Sequence, residues 1–177
     1  MTAVSNWRSI ALMQAPGLSS CIAVGWRFLL EQKGVALPAL FNDPSYQRTR
    51  QGGNFSTIRD GICNDLNNTG DVAERLRKAV IHTPSSFPEY LEFIRERVAR
   101  NEAVLIAIRG RFQLSTAPIV FPNQNGYHIM PVVEVTDDNI SMLVYNDRVH
   151  EPVTYILTLA DFERMFWTRD RDLASLS

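Results

Sequence analysis

Cysteine is scarce in this 177-residue chain, which holds only Cys21 and Cys63. Two thiols cannot build a disulfide framework, so stability must come from a buried core, and a reducing setting is the simpler expectation. Long apolar runs are missing too. No stretch approaches the ~20 residues that span a bilayer, and Met1 to Gln14 lacks the continuous apolar segment of a secretory signal. These absences predict no membrane partner and a cytoplasmic location, or export by a route without a cleaved signal peptide. Neither sign of charge is in excess. Eighteen Lys and Arg against nineteen Asp and Glu leave a formal charge of −1, too weak a field to recruit nucleic acid. Gly52-Gly53 is not followed by the Lys-Ser/Thr of a phosphate loop. The two cysteines are far apart and the three histidines are scattered, without metal-ligand spacing. No cofactor and no metal are expected.

What is present is an ordinary globular composition, 45% hydrophobic. The length predicts a single domain over residues 1–177 that buries roughly 70% of its unfolded surface. After an irregular start broken by Pro16 and Gly17, Ser19 or Ser20 is positioned to cap a helix. That helix carries Ile22, Trp26, Leu29 and Leu30 at helical spacing and stops near Gly34. It reads as buried on one face. Residues 35–70, rich in Gly, Asn, Asp and Pro, read as mostly loop, with a short helix near Thr57 to Leu66. A further helix starts at Asp71 and shows Val72, Leu76, Ala79 and Val80 on one side. Ser86 and Glu89 form a capping-box pattern, with Pro88 in the first turn, for a helix reaching Arg100.

The second half changes character. Ala103 to Arg109 is a compact apolar strand, and residues 110–126 read as a loop interrupted by Pro118 and Pro122. Tyr127 to Thr136 is a strand, Asp137 to Asn139 a turn, and Ile140 to Asn146 an antiparallel partner strand. Val153 to Leu157 is a fourth strand. A last helix begins at Thr158 to Asp161 and turns Leu159, Phe162, Met165 and Phe166 inward. Helices first and antiparallel strands later is an α+β plan.

Cys21 stands at the expected start of the first helix, where unsatisfied N–H groups and the helix dipole favour a thiolate. His128, early in a strand, is a candidate base that can hold the thiol proton as an ion pair. Asn146 and Asp147, at the end of the neighbouring strand, are candidates to orient the imidazole. The backbone N–H of Cys21 and the side chain of Gln14 are candidate oxyanion donors. Each residue has a plainer reading: a small buried cysteine, a structural histidine, a loop glutamine, a turn aspartate. Cys63 reads as a buried small residue, His82 as a helix C-terminal cap and His150 as an exposed loop residue.

The order of the pieces resembles the papain-like cysteine peptidases, and within them the peptidases that process bacteriocin double-glycine leaders and their stand-alone relatives. Four segments carry the resemblance: QAPGLSSCIAVGWRFLLEQKG from Gln14, FPEYLEFIRERVARNEAVLIAIR from Phe87, GYHIMPVVEVTDDNISMLVYND from Gly126, and LTLADFERMFW near the end. It implies a papain-like fold with N-terminal helices packed on a C-terminal antiparallel sheet. It also implies a Cys21–His128–Asp147 triad, Gln14 in the oxyanion hole, and a peptide, protein or small amide substrate cleaved through an acyl-thioester. Asn146 stays an alternative to Asp147. The chain departs from the family at Ile22, Glu134 and Arg148, where Gly, Gly and Pro are common. By strand alternation Glu134 would share a face with His128, near the cleft. Two other readings use the same scaffold: an acyltransferase with the same triad, and an inactive interaction domain. A role as an injected effector or toxin fits as well as a resident enzyme.

Overall fold

The computed structural model describes residues 2–10, 20–43, 45–109, 127–144, 153–164 and 171–177. The expected loop over residues 110–126, and Asn146, Asp147, Arg148, His150, Met165 and Phe166, lie outside the described residues, as does Gln14. The described elements run β1 (Thr2–Ala3), α1 (Cys21–Gln32), α2 (Tyr46–Thr49), α3 (Phe55–Asp65), α4 (Gly70–Arg77), β2 (Val80–His82), α5 (Phe87–Ala99), β3 (Val104–Arg109), β4 (Tyr127–Val135), β5 (Asn139–Val144), β6 (Val153–Thr158), α6 (Leu159–Phe162) and β7 (Leu173–Ser175). The α+β plan expected from the sequence is the one found.

The strands form one antiparallel sheet in the order β2-β7-β3-β4-β5-β6, with β1 added beside the far end of β4. Val104, Leu105, Ile106 and Ala107 are wholly buried, as are Ile129, Met130, Val132 and Val133. A continuous apolar run marks strands covered on both faces, where alternation would mark a half-solvated one. Helices α1 and α5 both pack on β4.

Helix α1 is more deeply placed than its stripe predicts. Nine of its residues from Cys21 to Leu30, all but Arg27, are buried. Trp26 is held at both ends: its indole N–H donates to the Phe55 carbonyl at 3.1 Å, and its ring meets that of Phe55 edge-on. At the far end of α1, Gln32 Nε2 and Lys33 Nζ donate to the Asn101 carbonyl at 3.2 and 3.0 Å. Asn101 in turn clasps Ser5 with its side chain. The helix is therefore fixed along its length before its first turn is considered.

Three sequence expectations change. Val80 does not continue α4; it opens strand β2, because Lys78 ends the helix and the next residues pair with β7. The loop-like span 35–70 contains α2 as well as α3, the latter capped reciprocally by Asn54 and Thr57. At α5, Ser86 Oγ accepts from the Glu89 N–H as expected, but the Glu89 carboxylate turns to Ser85 instead of closing a capping box on Ser86.

Strand β7 went unread in the sequence and lies between β2 and β3. Its residues Leu173, Ala174 and Ser175 are buried, and Ser175 Oγ donates to the Ala103 carbonyl at 2.9 Å. β7 thus joins β2 to the rest of the sheet. Leu173→Ala is expected to cost about 2–5 kcal/mol in urea unfolding, the range for a truncated core leucine. A loss under about 1 kcal/mol would mean that β7 is dispensable.

Candidate active site

Cys21 is the first residue of α1 and is buried. Ser20 sits at the N-cap, yet its hydroxyl does not cap the helix. It donates instead to Gln47 Oε1 at 2.8 Å. The first-turn amides are thereby left for another acceptor, and the backbone N–H groups of Cys21 and Ile22 serve the Cys21 sulfur. The backbone N–H of Ile129, on β4, also acts to lower the thiol pKa. That nitrogen belongs to the peptide joining His128 to Ile129. Helix α1, which begins at Cys21, packs on β4, the strand that carries His128.

His128 is the second residue of β4 and lies opposite Ile108 of β3. The residue as a whole is partly exposed, but its Nε2 is buried. Burial lowers the imidazole pKa to about 4. Burial likewise pushes the Cys21 thiol up to about 11, outweighing the three N–H donors that favour the thiolate. The sequence argument expected the helix terminus to favour a thiolate–imidazolium pair. In the folded protein desolvation is the larger effect, and both groups rest neutral.

Gln47 is a contributor that the sequence did not reveal. It sits on α2, a four-residue helix too short to hold itself. The turn is fastened to α3 by Asp65, which accepts from the Tyr46 hydroxyl at 2.7 Å and from Arg50 Nε at 2.7 Å, while Arg50 Nη2 also donates to the Gly61 carbonyl. This clamp fixes the height at which Gln47 meets Ser20. No local pattern marks such a residue, because its role comes from a contact 27 positions away.

The other sequence candidates sort as follows. Gln14, Asn146 and Asp147 lie outside the described residues. Cys63 is buried on α3 with its Sγ 3.7 Å from the Ala73 carbonyl, in the plain role expected. His82 is not a helix cap: it lies on β2, stacks on Phe93 and places Nε2 3.2 Å from Glu89 Oε1. Glu134 is also re-placed. A β-bulge shifts the register so that Val132 faces Met142 while Glu134 faces Ser141. Met142 and Ser141 are successive and point to opposite faces, so Glu134 points away from the face that His128 shares with Met130 and Val132. The carboxylate is removed from the cleft side. Among the described residues no three His, Cys, Asp or Glu side chains gather as metal ligands, and no helix is long and apolar enough to cross a membrane.

Neither the family models nor the curated proteins yield a match to this sequence. Among solved structures, the chain is similar to a crystal structure of a candidate C39-like peptidase from Bacillus anthracis. The match covers all of this chain and 98% of that one, with a TM-score of 0.55 and 12% sequence identity. With the helices packed on an antiparallel sheet, this likeness fits an α+β papain-like fold.

Two outcomes follow from the neutral pair. A histidine whose folded pKa lies below its unfolded value leaves the unfolded chain binding more protons between pH about 6.5 and 4. Its burial therefore costs nothing above pH 6.5, and stability falls as the pH drops through that window, by up to about 3 kcal/mol. Unfolding followed from pH 7 to 4.5 should show this decline in the parent and a flatter course in His128→Gln. Equal declines would show that His128 is not the group being desolvated. Separately, iodoacetamide should modify Cys21 of the free protein slowly at pH 7, with Cys63→Ala as background. The rate should keep climbing beyond pH 9. Rapid modification below pH 6 would instead reveal a standing ion pair.

Proposed function

We propose that this protein is a cysteine peptidase or amidase in which Cys21 is the nucleophile and His128 its base. The observation that carries the reading is that α1, which begins at Cys21, packs on β4, the strand that carries His128. Sequence order supports it too, and within the papain-like group favours the stand-alone relatives of the leader peptidases. The neighbouring structure, itself a candidate C39-like peptidase, points to a peptide or protein substrate.

The resting charges favour a particular sequence of events. A neutral His128 is in the form that accepts a proton at pH 7. As the Cys21 sulfur bonds to the substrate carbonyl carbon, its proton passes to the imidazole, and the negative charge moves to the carbonyl oxygen. The first-turn N–H groups that faced the sulfur are then close at hand for that oxyanion, with Gln14 as the proposed side-chain donor. The imidazolium returns its proton to the leaving amine, and water resolves the thioester. Asp147, or Asn146 in its place, is proposed to hold the imidazolium while it lasts. An amine acceptor in place of water would make the same machinery an acyltransferase.

The test is to expose the protein to peptides from a digested proteome and map new termini by mass spectrometry. Cleavage should vanish in Cys21→Ala and drop about 10²–10⁴-fold in His128→Ala. Because the proton moves during attack, kcat/KM on a peptide so found should be slower in D2O. It should also hold level past pH 8, where an imidazolium-dependent enzyme declines. Identical termini from the parent and Cys21→Ala would remove the peptidase reading.

A further inference from the structure

Helix α1 does not begin as α3, α5 and α6 do. Those three start after Asn54, Ser86 and Thr158, residues of extended backbone with ψ between 154° and 179°. Each accepts the N–H of the third helical residue with its side-chain oxygen, as a helix cap does. Ser20 is the same kind of residue in the same position, yet its backbone lies at φ −102°, ψ 14° and its hydroxyl caps nothing. That is the sparsely populated region between strand and helix, not the extended range of a cap. Something outside α1 holds Ser20 out of its usual role.

Ser20 is wholly buried, so its hydroxyl must find a partner within the protein. The partner is Gln47 Oε1, at 2.8 Å. Without it, the nearest groups to satisfy the hydroxyl are the first-turn amides that a serine cap takes, those of Ile22 or Ala23. An oxygen in that place would stand in front of the turn that begins with Cys21. It would take up donors that now favour the thiolate, the N–H groups of Cys21 and Ile22. Gln47 is able to compete because α2 is not free to move. Asp65 accepts from the Tyr46 hydroxyl and from Arg50 Nε, one on each side of Gln47 in the chain. The position of α2 is thus transmitted through Gln47 and Ser20 to the residue before Cys21.

We propose that Gln47 is a positioning residue for Cys21: it holds the Ser20 hydroxyl off the start of α1 and so keeps the first-turn N–H groups open to the thiol and to the reacting carbonyl oxygen. The role rests on the reading of Cys21 as nucleophile, and it is read without turnover from the rate of Cys21 alkylation by iodoacetamide at pH 9 in the Cys63→Ala protein. That pH lies below the thiol pKa of about 11, so the rate follows the thiolate fraction. Gln47→Met keeps the side-chain length and removes the acceptor. It should slow alkylation about three- to tenfold, the worth of one hydrogen bond lost to the freed serine. Adding Ser20→Ala should restore the parent rate, because a methyl group cannot cap, and Ser20→Ala alone should change it less than about twofold. A merely structural role for Gln47 gives the opposite pattern: a loosened α2 exposes the thiol and speeds alkylation, and Ser20→Ala reverses nothing. Unchanged or faster alkylation in Gln47→Met, or slowing that Ser20→Ala leaves in place, overturns the proposal. Asp65→Asn, which weakens the clamp with Gln47 intact, decides the matter should Gln47→Met not fold: slowing reversed by Ser20→Ala supports the role, and any other result overturns it. The expected alkylation pattern in a parent without Cys21-dependent cleavage would remove the peptidase reading and leave the hold of Gln47 on the thiol standing.

Discussion

The seating of the first turn of α1 on β4 is the constraint on which the rest of this structure turns. A helix terminus carries unsatisfied N–H groups, and a buried one must find acceptors for them. Here the backbone N–H groups of Cys21 and Ile22, and of Ile129 on the sheet, all act to favour the Cys21 thiolate. Several contacts hold α1 in place along its length. Trp26 and Phe55 brace the middle of the helix, Asn101 anchors its end, and Ser20 is tied to Gln47. A serine that capped α1 would compete with the sulfur for its amides; a serine turned to Gln47 leaves them available.

That division of labour explains why the segment 38–65 matters although it lies outside the sheet. Its local structure is meagre: a 3-10 turn at Ala39–Asn42, one turn at Tyr46–Thr49 and a capped helix. The segment is organised by Asp65, which gathers Tyr46 and Arg50. The clamp is partly exposed, so its ionic component is screened and modest in worth. Its effect is geometric. It holds Tyr46, which lines a cavity against α1, and with it the neighbouring Gln47, which accepts from the Ser20 hydroxyl.

Much of this was legible in the sequence. The α1 stripe, the apolar run at Val104–Ala107 and the His128 strand are long, strongly patterned segments, and Cys21 at a helix start and His128 in a strand are both found there. What escaped reading has a common physical cause. Strands β2 and β7 are three residues each, too short for periodicity to register, and their pairing is decided by distant parts of the chain. The bulge at Val132–Glu134 inverts the facing of Glu134, and alternation counted along one strand cannot detect an extra residue relative to its partner. Gln47 acts through a tertiary contact with no local signature.

The charge state of the pair is the least sequence-like property of all. Residue type and helix position argue for a thiolate; depth argues against it, and depth is set by the whole fold. The two arguments act at different moments. In the resting protein burial wins, which keeps the thiol and imidazole neutral and the sulfur guarded. In the attack proposed here the charge leaves the sulfur for a carbonyl oxygen, where fixed N–H donors in a water-poor site are worth most because no solvent must reorganise to meet it. A neutral, buried pair flanked by oriented amides is thus poorly suited to reacting with whatever diffuses past. The reaction proposed for it then favours a substrate held in place.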